Sequence, residues 1–170
     1  MKKLITMVVA ALIGTAAAMS QATQGEFASG ANLVYGFGVK SLGIGAKFQY
    51  TFIDHVRGEV AFNYFFKKDF VSIWDASINA HYLISVHQEN FFLYPLAGFT
   101  FAATSYDTKG AESKLLPEHI DKSHSRVGLN LGAGAQYQFS EHIGFTLEYR
   151  YSIMKDIDQS VIGLGVNYKF

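Results

Sequence analysis

The sequence predicts an all-β protein: an eight-stranded antiparallel transmembrane β-barrel, an up-and-down meander that follows a cleaved signal peptide. Three observations predict it. Hydrophobicity alternates with a period of two along almost the whole chain after residue 22, as strands with two unlike faces require. One face collects aromatic and aliphatic residues, while the other collects glycines and a few long polar side chains. Composition excludes the alternatives. The 170 residues include no cysteine, two prolines and sixteen glycines; 49% are hydrophobic, 15% aromatic and 16% charged, with a formal net charge of zero. That leaves no disulfide framework or thiolate metal site, no basic excess for nucleic acid, and too few charges for a disordered chain.

Residues 1–22 read as the signal peptide and 23–170 as the barrel domain. Lys2 and Lys3 form a positive start, and Leu4–Ile13 is an apolar run too short to span a bilayer as a helix. Ser20-Gln21-Ala22 offers a small-x-small cleavage site, with Ala16-Ala17-Ala18 competing. Loss of Lys2 and Lys3 leaves 12 basic residues against 14 acidic ones.

The strands follow in order. The first is short, marked by Leu33, Tyr35 and Phe37. In the second, Leu42, Ile44, Ala46, Phe48, Tyr50 and Phe52 oppose Gly43, Gly45, Lys47, Gln49 and Thr51. The third sets Val56, Val60, Phe62, Tyr64 and Phe66 against Arg57, Glu59, Ala61 and Asn63, and Phe65 interrupts the polar row. The fourth sets Trp74, Ala76, Ile78, Ala80, Tyr82 and Ile84 against Asp75, Ser77, Asn79 and His81. Phe91–Thr104 is apolar on both parities and carries Pro95, so its facing stays open. Arg126–Phe139 alternates throughout, with Val127, Leu129, Leu131 and Tyr137 against Arg126, Gly128, Asn130, Gly132 and Gly134. Ile143–Ile153 and Ile162–Phe170 repeat the pattern.

The connections alternate in character. Ile53–His55, Ser85–Asn90 and Ser140–His142 are tight turns; Lys67–Ser72, Ser105–His124 and Lys155–Gln159 are polar loops. The connection around Val39–Ser41 is short and departs from that alternation. Gly43-x-Gly45-Ala46-x-Phe48-Gln49-Tyr50 before Asp54-His55-Val56 is echoed by Gly132-x-Gly134-Ala135-x-Tyr137-Gln138-Phe139 before Glu141-His142-Ile143, which suggests a repeated hairpin.

Volume decides which face points out. An eight-stranded barrel encloses just enough space for its own side chains. The aromatic face would overfill it. Ten of the sixteen glycines (Gly36, Gly38, Gly43, Gly45, Gly128, Gly132, Gly134, Gly144, Gly163 and Gly165) lie on the other parity, which suits a narrow lumen. The apolar face therefore meets lipid, where a closed barrel satisfies every backbone group. Aromatics near both strand ends form the expected two girdles.

Here the residues resemble a known family. The ending Ile162-x-Leu164-x-Val166-x-Tyr168-x-Phe170 resembles the C-terminal signal read by the outer-membrane assembly machinery, with Leu164, Val166, Tyr168 and Phe170 as its bearers. Leu131-Gly132-Ala133-Gly134-Ala135-Gln136-Tyr137 with Gly144-Phe145-Thr146-Leu147-Glu148-Tyr149-Arg150-Tyr151 resembles the strand–turn–strand unit of OmpA/OmpX-like barrels. The resemblance implies the outer membrane of a Gram-negative bacterium, short turns and termini in the periplasm, and contact with membrane lipid and lipopolysaccharide. It implies a monomer without cofactor and without the peptidoglycan-binding domain of full-length OmpA proteins.

The expected inner face carries Lys47, Arg57, Glu59, Asp75, His81, Arg126, Glu148, Arg150 and Lys169. Charges in a narrow lumen must pair or stay hydrated. A salt-bridge network that fills the barrel is the expectation, and a narrow ion path is the alternative. An enzyme acting on outer-leaflet lipid is a further alternative, suggested by Ser123-His124-Ser125 with His119 and Asp121. Neighbours on a strand face opposite ways, so His124 and Ser125 are poorly placed to cooperate. His119, Asp121 and His124 match no metal template. The sequence thus predicts a non-enzymatic barrel. The long loop, with its apolar patch Leu115-Leu116-Pro117, is the candidate contact for a host-surface ligand.

Overall fold

The computed structural model describes residues 24–68, 71–86, 90–106, 124–154 and 158–170. The leader, the Leu115-Leu116-Pro117 patch, His119, Asp121 and Ser123 lie outside the described residues. Eight strands form the wall: β1 (Phe27–Gly36), β2 (Ser41–Ile53), β3 (Val56–Lys68), β4 (Val71–Tyr82), β5 (Phe91–Tyr106), β6 (His124–Gln138), β7 (Ile143–Met154) and β8 (Gln159–Lys169). A two-residue segment, Ile84–Ser85, continues β4 after a break at Leu83. Every sequential pair is antiparallel, β1 also pairs with β8, and β4 pairs with β5, so the meander closes on itself. Strands of 10 to 16 residues reach the length of about 9–11 that crosses a bilayer when tilted.

Exposure confirms the assignment of faces. Leu33, Phe99, Val127 and Leu164 are each more than 60% exposed, whereas Lys47, Arg57, Glu59 and Asp75 are 5% exposed or less. This inside-out distribution belongs to a protein whose outer solvent is lipid.

Four details differ from the sequence reading or complete it. First, β1 begins at Phe27, not near Leu33, and pairs in unbroken register from Phe27↔Tyr50 to Gly36↔Ser41. Its first half, Ala28-Ser29-Gly30-Ala31, has side chains too small to show alternation. Phe37 and Gly38 lie in the turn that follows, so Gly38 is not a lumen residue; Lys40 completes that turn at φ 49°.

Second, β5 now has a facing. Tyr94, Leu96, Thr100 and Ala102 are buried, while Leu93, Ala97, Phe99 and Phe101 are exposed, so even positions point inward. The two parities look alike in sequence because the inner row here is itself apolar.

Third, β4 breaks opposite Pro95. The ladder passes from His81↔Leu96 to Ile84↔Leu93. Proline has no N–H to give to β4, while the Leu83 N–H, on the β3 side, bonds His55 O at 2.7 Å.

Fourth, the strands that flank the long loop extend into it. Ser72 pairs with Ser105 and Thr104 with His124, so Ser105 and His124 belong to the sheet.

Apolar residues also occupy the lumen, at its two ends. At the turn side Leu83, Tyr94 and Leu96 cluster. At the loop side Val34, Phe65 and Val161 cluster, with Val39 and Ile73 packed against them. Phe65, the interruption noted in the polar row of β3, is 1% exposed and belongs to this plug.

Candidate functional site in the barrel lumen

Between the two plugs the lumen is polar. The strand period of two sends Lys47, Gln49, Arg57, Glu59, Asn63, Asp75, Ser77, Asn79 and His81 inward from three adjacent strands. Asn130, Thr146, Glu148, Arg150 and Asn167 face them from the opposite wall.

Bonds run straight across. Arg150 on β7 donates from Nη2 to Asp75 Oδ2 on β4 at 3.0 Å, and from Nη1 to Ser77 Oγ at 2.8 Å. Asn63 Nδ2 donates to the second Asp75 oxygen at 2.7 Å, and Asn32 Nδ2 donates to Asn63 Oδ1 at 3.0 Å. Lys47 Nζ reaches Thr146 Oγ1 at 2.8 Å, and Arg57 Nη1 reaches Gln136 Oε1 at 2.7 Å. Asn130 Nδ2 donates to Asn79 Oδ1 at 2.9 Å and in turn accepts from Ser152 Oγ. Gln49 Nε2 holds Glu59 Oε2 at 2.7 Å.

The bonds of Arg150, Lys47 and Arg57 strut walls that the backbone ladder alone joins only around the circumference. The charges of this network balance: Lys47, Arg57 and Arg150 against Glu59, Asp75 and Glu148. Charge balance limits the cost of taking ions out of water, and the neutral amides satisfy the lone pairs that remain.

At the turn side Tyr94 organises the network. Its ring stacks on His81 with centroids 4.7 Å apart, and the Arg57 guanidinium lies 5.1 Å over it. Its hydroxyl donates to Glu148 Oε2 at 3.2 Å. Glu148 is flanked in register by Gly134 and Gly163. A side chain at Gly134 would collide with the Tyr94 ring, so this glycine makes room for the aromatic plug.

The sequence placed Lys47, Arg57, Glu59, Asp75, His81, Glu148 and Arg150 on this face, and the structure brings them together. Arg126 is half-buried at the loop-side end of β6, apart from this connected set. Lys169 sits at the turn-side rim, paired with Glu26. Sequence reasoning put the neutral Asn63, Asn79, Asn130 and Thr146 on the polar parity but counted only charged residues in the network. Tyr94 was hidden in the doubly apolar fifth strand; the glycine facing it at position 134 was the available signal.

A cavity of about 20 Å³ is lined by Lys47, Glu59, Asn63, Glu148, Arg150 and neighbours, enough for about one water. His81 is held by Arg57 and Tyr94, and among the described residues no serine or threonine hydroxyl is bonded to it. That geometry supplies no nucleophile–base pair.

Against known proteins, residues 6–170 match the family model described as outer membrane protein beta-barrel domain. The chain belongs to that family. It is an integral, multi-pass β-barrel of the bacterial outer membrane, as its lipid-facing wall requires. A search of curated proteins finds no significant match.

Among solved structures, the chain is similar to the N-terminal β-barrel domain of Pseudomonas aeruginosa OprF: TM-score 0.69, 18% identity, 86% of this chain and 98% of that one. Neisserial surface protein A gives 0.66 at 17% identity, covering 85% and 96%. Ail, the attachment invasion locus protein of Yersinia pestis, gives 0.60 at 20% identity, covering 87% and 100%. At these identities the likeness is one of fold, a small barrel of the same architecture.

Proposed function

We propose that this barrel is a non-enzymatic envelope protein that presents its extracellular loops for surface interaction and adhesion. The observation that supports this reading is the filled lumen. Among the described residues, apolar clusters sit at both ends, cross-bonded side chains occupy the middle, and the cavity between them is the size of one water. A filled lumen moves no solute, so activity falls to the outer wall and the loops. The lumen charges Lys47, Arg57, Glu59, Asp75, His81, Glu148 and Arg150 then serve to rigidify the scaffold that holds the loops. Ail, a barrel of this fold named for attachment and invasion, has been seen with a heparin analogue, which supports looking for a host-surface ligand here.

The same reading gives residues 1–22 the role of export signal. It gives Leu164, Val166, Tyr168 and Phe170 the role of assembly signal: the first three are exposed on the lipid face of the last strand, and Phe170, just past its end, is exposed as well. Membrane lipid and lipopolysaccharide surround the wall, and the barrel works as a monomer.

The experiment removes residues 107–122, which leaves both flanking strands whole. Loss of host-cell or glycan binding, with the barrel still folded, is the expected result. Unchanged binding, or a lipid A profile that shifts in a strain lacking the protein, would overturn the reading in favour of the lipid-enzyme alternative.

A further inference from the structure

We propose that Glu59, His81 and Glu148 form a lumen site for one divalent first-row transition ion, of the class zinc represents. One donor atom from each of the three lies within 4.8 Å of the others. His81 is 1% exposed, and its Nε2 has no hydrogen-bond partner. That nitrogen stands 3.7 Å from Glu59 Oε1, beyond hydrogen-bond range. The small lumen cavity opens onto both carboxylates.

Electrostatics favours a cation at this point. Among the described residues, no lysine or arginine nitrogen comes within 4.0 Å of either Glu59 or Glu148. Lys47 and Arg150 lie nearby but bond Thr146 and Asp75, so neither bridges the two carboxylates. Two carboxylates facing each other in a low-dielectric lumen repel, and an ion between them converts that repulsion into attraction. An imidazole with two carboxylates is a nitrogen–oxygen donor set that suits zinc. Magnesium and calcium prefer oxygen donors alone. Zinc bonds of about 2.0–2.2 Å draw the three side chains together around the ion.

Arg57 opposes binding. Its Nη2 lies 3.1 Å from His81 Nδ1 and donates to it, which leaves the neutral ring's proton on Nε2. Ligation at Nε2 moves that proton to Nδ1. Arg57 then releases the ring and keeps its bond to Gln136 Oε1. The plugs enclose the site, so the ion enters as the barrel closes.

The test refolds the full barrel in detergent with zinc chloride or with EDTA, exchanges it into metal-free buffer, and measures bound zinc by mass spectrometry. One zinc per barrel is expected in the wild type. Glu148→Gln and His81→Gln, checked for folding by the mobility difference between boiled and unboiled samples, should retain less than a tenth of that. Arg57→Gln should load at several-fold lower zinc, and His55→Ala with His142→Ala should load fully. X-ray absorption on the wild type should show one imidazole with oxygen donors, a readout that needs no variant to fold. A zinc-free wild type, equal retention in Glu148→Gln and His81→Gln, weaker loading by Arg57→Gln, or a spectrum with two or more imidazoles would each overturn the proposal.

Discussion

Arg150 and Asp75 meet across the width of the barrel, on strands that do not neighbour each other, at 3.0 Å with both side chains 5% exposed. Removing one partner strands the other as a buried charge, which costs about 3–5 kcal/mol. Arg150→Met should therefore destabilise the barrel by roughly that amount, read by urea titration in lipid vesicles. The double variant Arg150→Met, Asp75→Leu should recover most of the loss. An equal loss in the double variant would mean that the pair is not the strut described here.

The loop-side plug makes a second prediction. Phe65 fills the lumen end against Val34 and Val161. Truncation to alanine leaves a cavity and should cost about 3–5 kcal/mol. Planar-bilayer recordings should show no large conductance in the wild type. Glu148→Gln with Arg150→Gln should lower stability more than it changes any conductance. Large, charge-dependent wild-type currents would contradict the sealed lumen.

Gly134 makes room for the Tyr94 ring. Gly134→Val should cost about 1–3 kcal/mol by overpacking. Tyr94→Ala in the same chain should make that substitution tolerable. Thermal unfolding of the three variants measures both effects, and a double variant no more stable than Gly134→Val would contradict the steric account.

The outer wall should respond to depth. Leu131 is exposed near the middle of β6 and Tyr137 near its turn-side end. Leu131→Arg should cost about 2–4 kcal/mol and Tyr137→Arg about 0–1. Equal costs would contradict the placement of the bilayer. An unboiled wild-type sample should also run faster than a boiled one in detergent gels, as a barrel that survives detergent is more compact than its unfolded chain.

The sequence by itself determined the architecture. A period of two marks most segments between Ser41 and Phe170, and its two rows differ so sharply there that strand number and lipid contact follow. Glycines such as Gly134 and Gly165 could lie only where space is short. What failed to show were places where a row lacked contrast: Ala28-Ser29-Gly30-Ala31 in β1 and the doubly apolar β5. Periodicity is a difference signal, and it vanishes when both faces carry the same chemistry.

Only the tertiary structure decided which lumen residues meet. Lys47 and Thr146 are 99 positions apart, and Arg150 and Asp75 are 75 apart. Parity puts each of them inside but leaves open the height and side of the barrel, which closure and register set. The same holds for Phe65 and Tyr94. Alternation marks one as an exception and leaves the other undetermined, and closure turns both into the seals of the lumen.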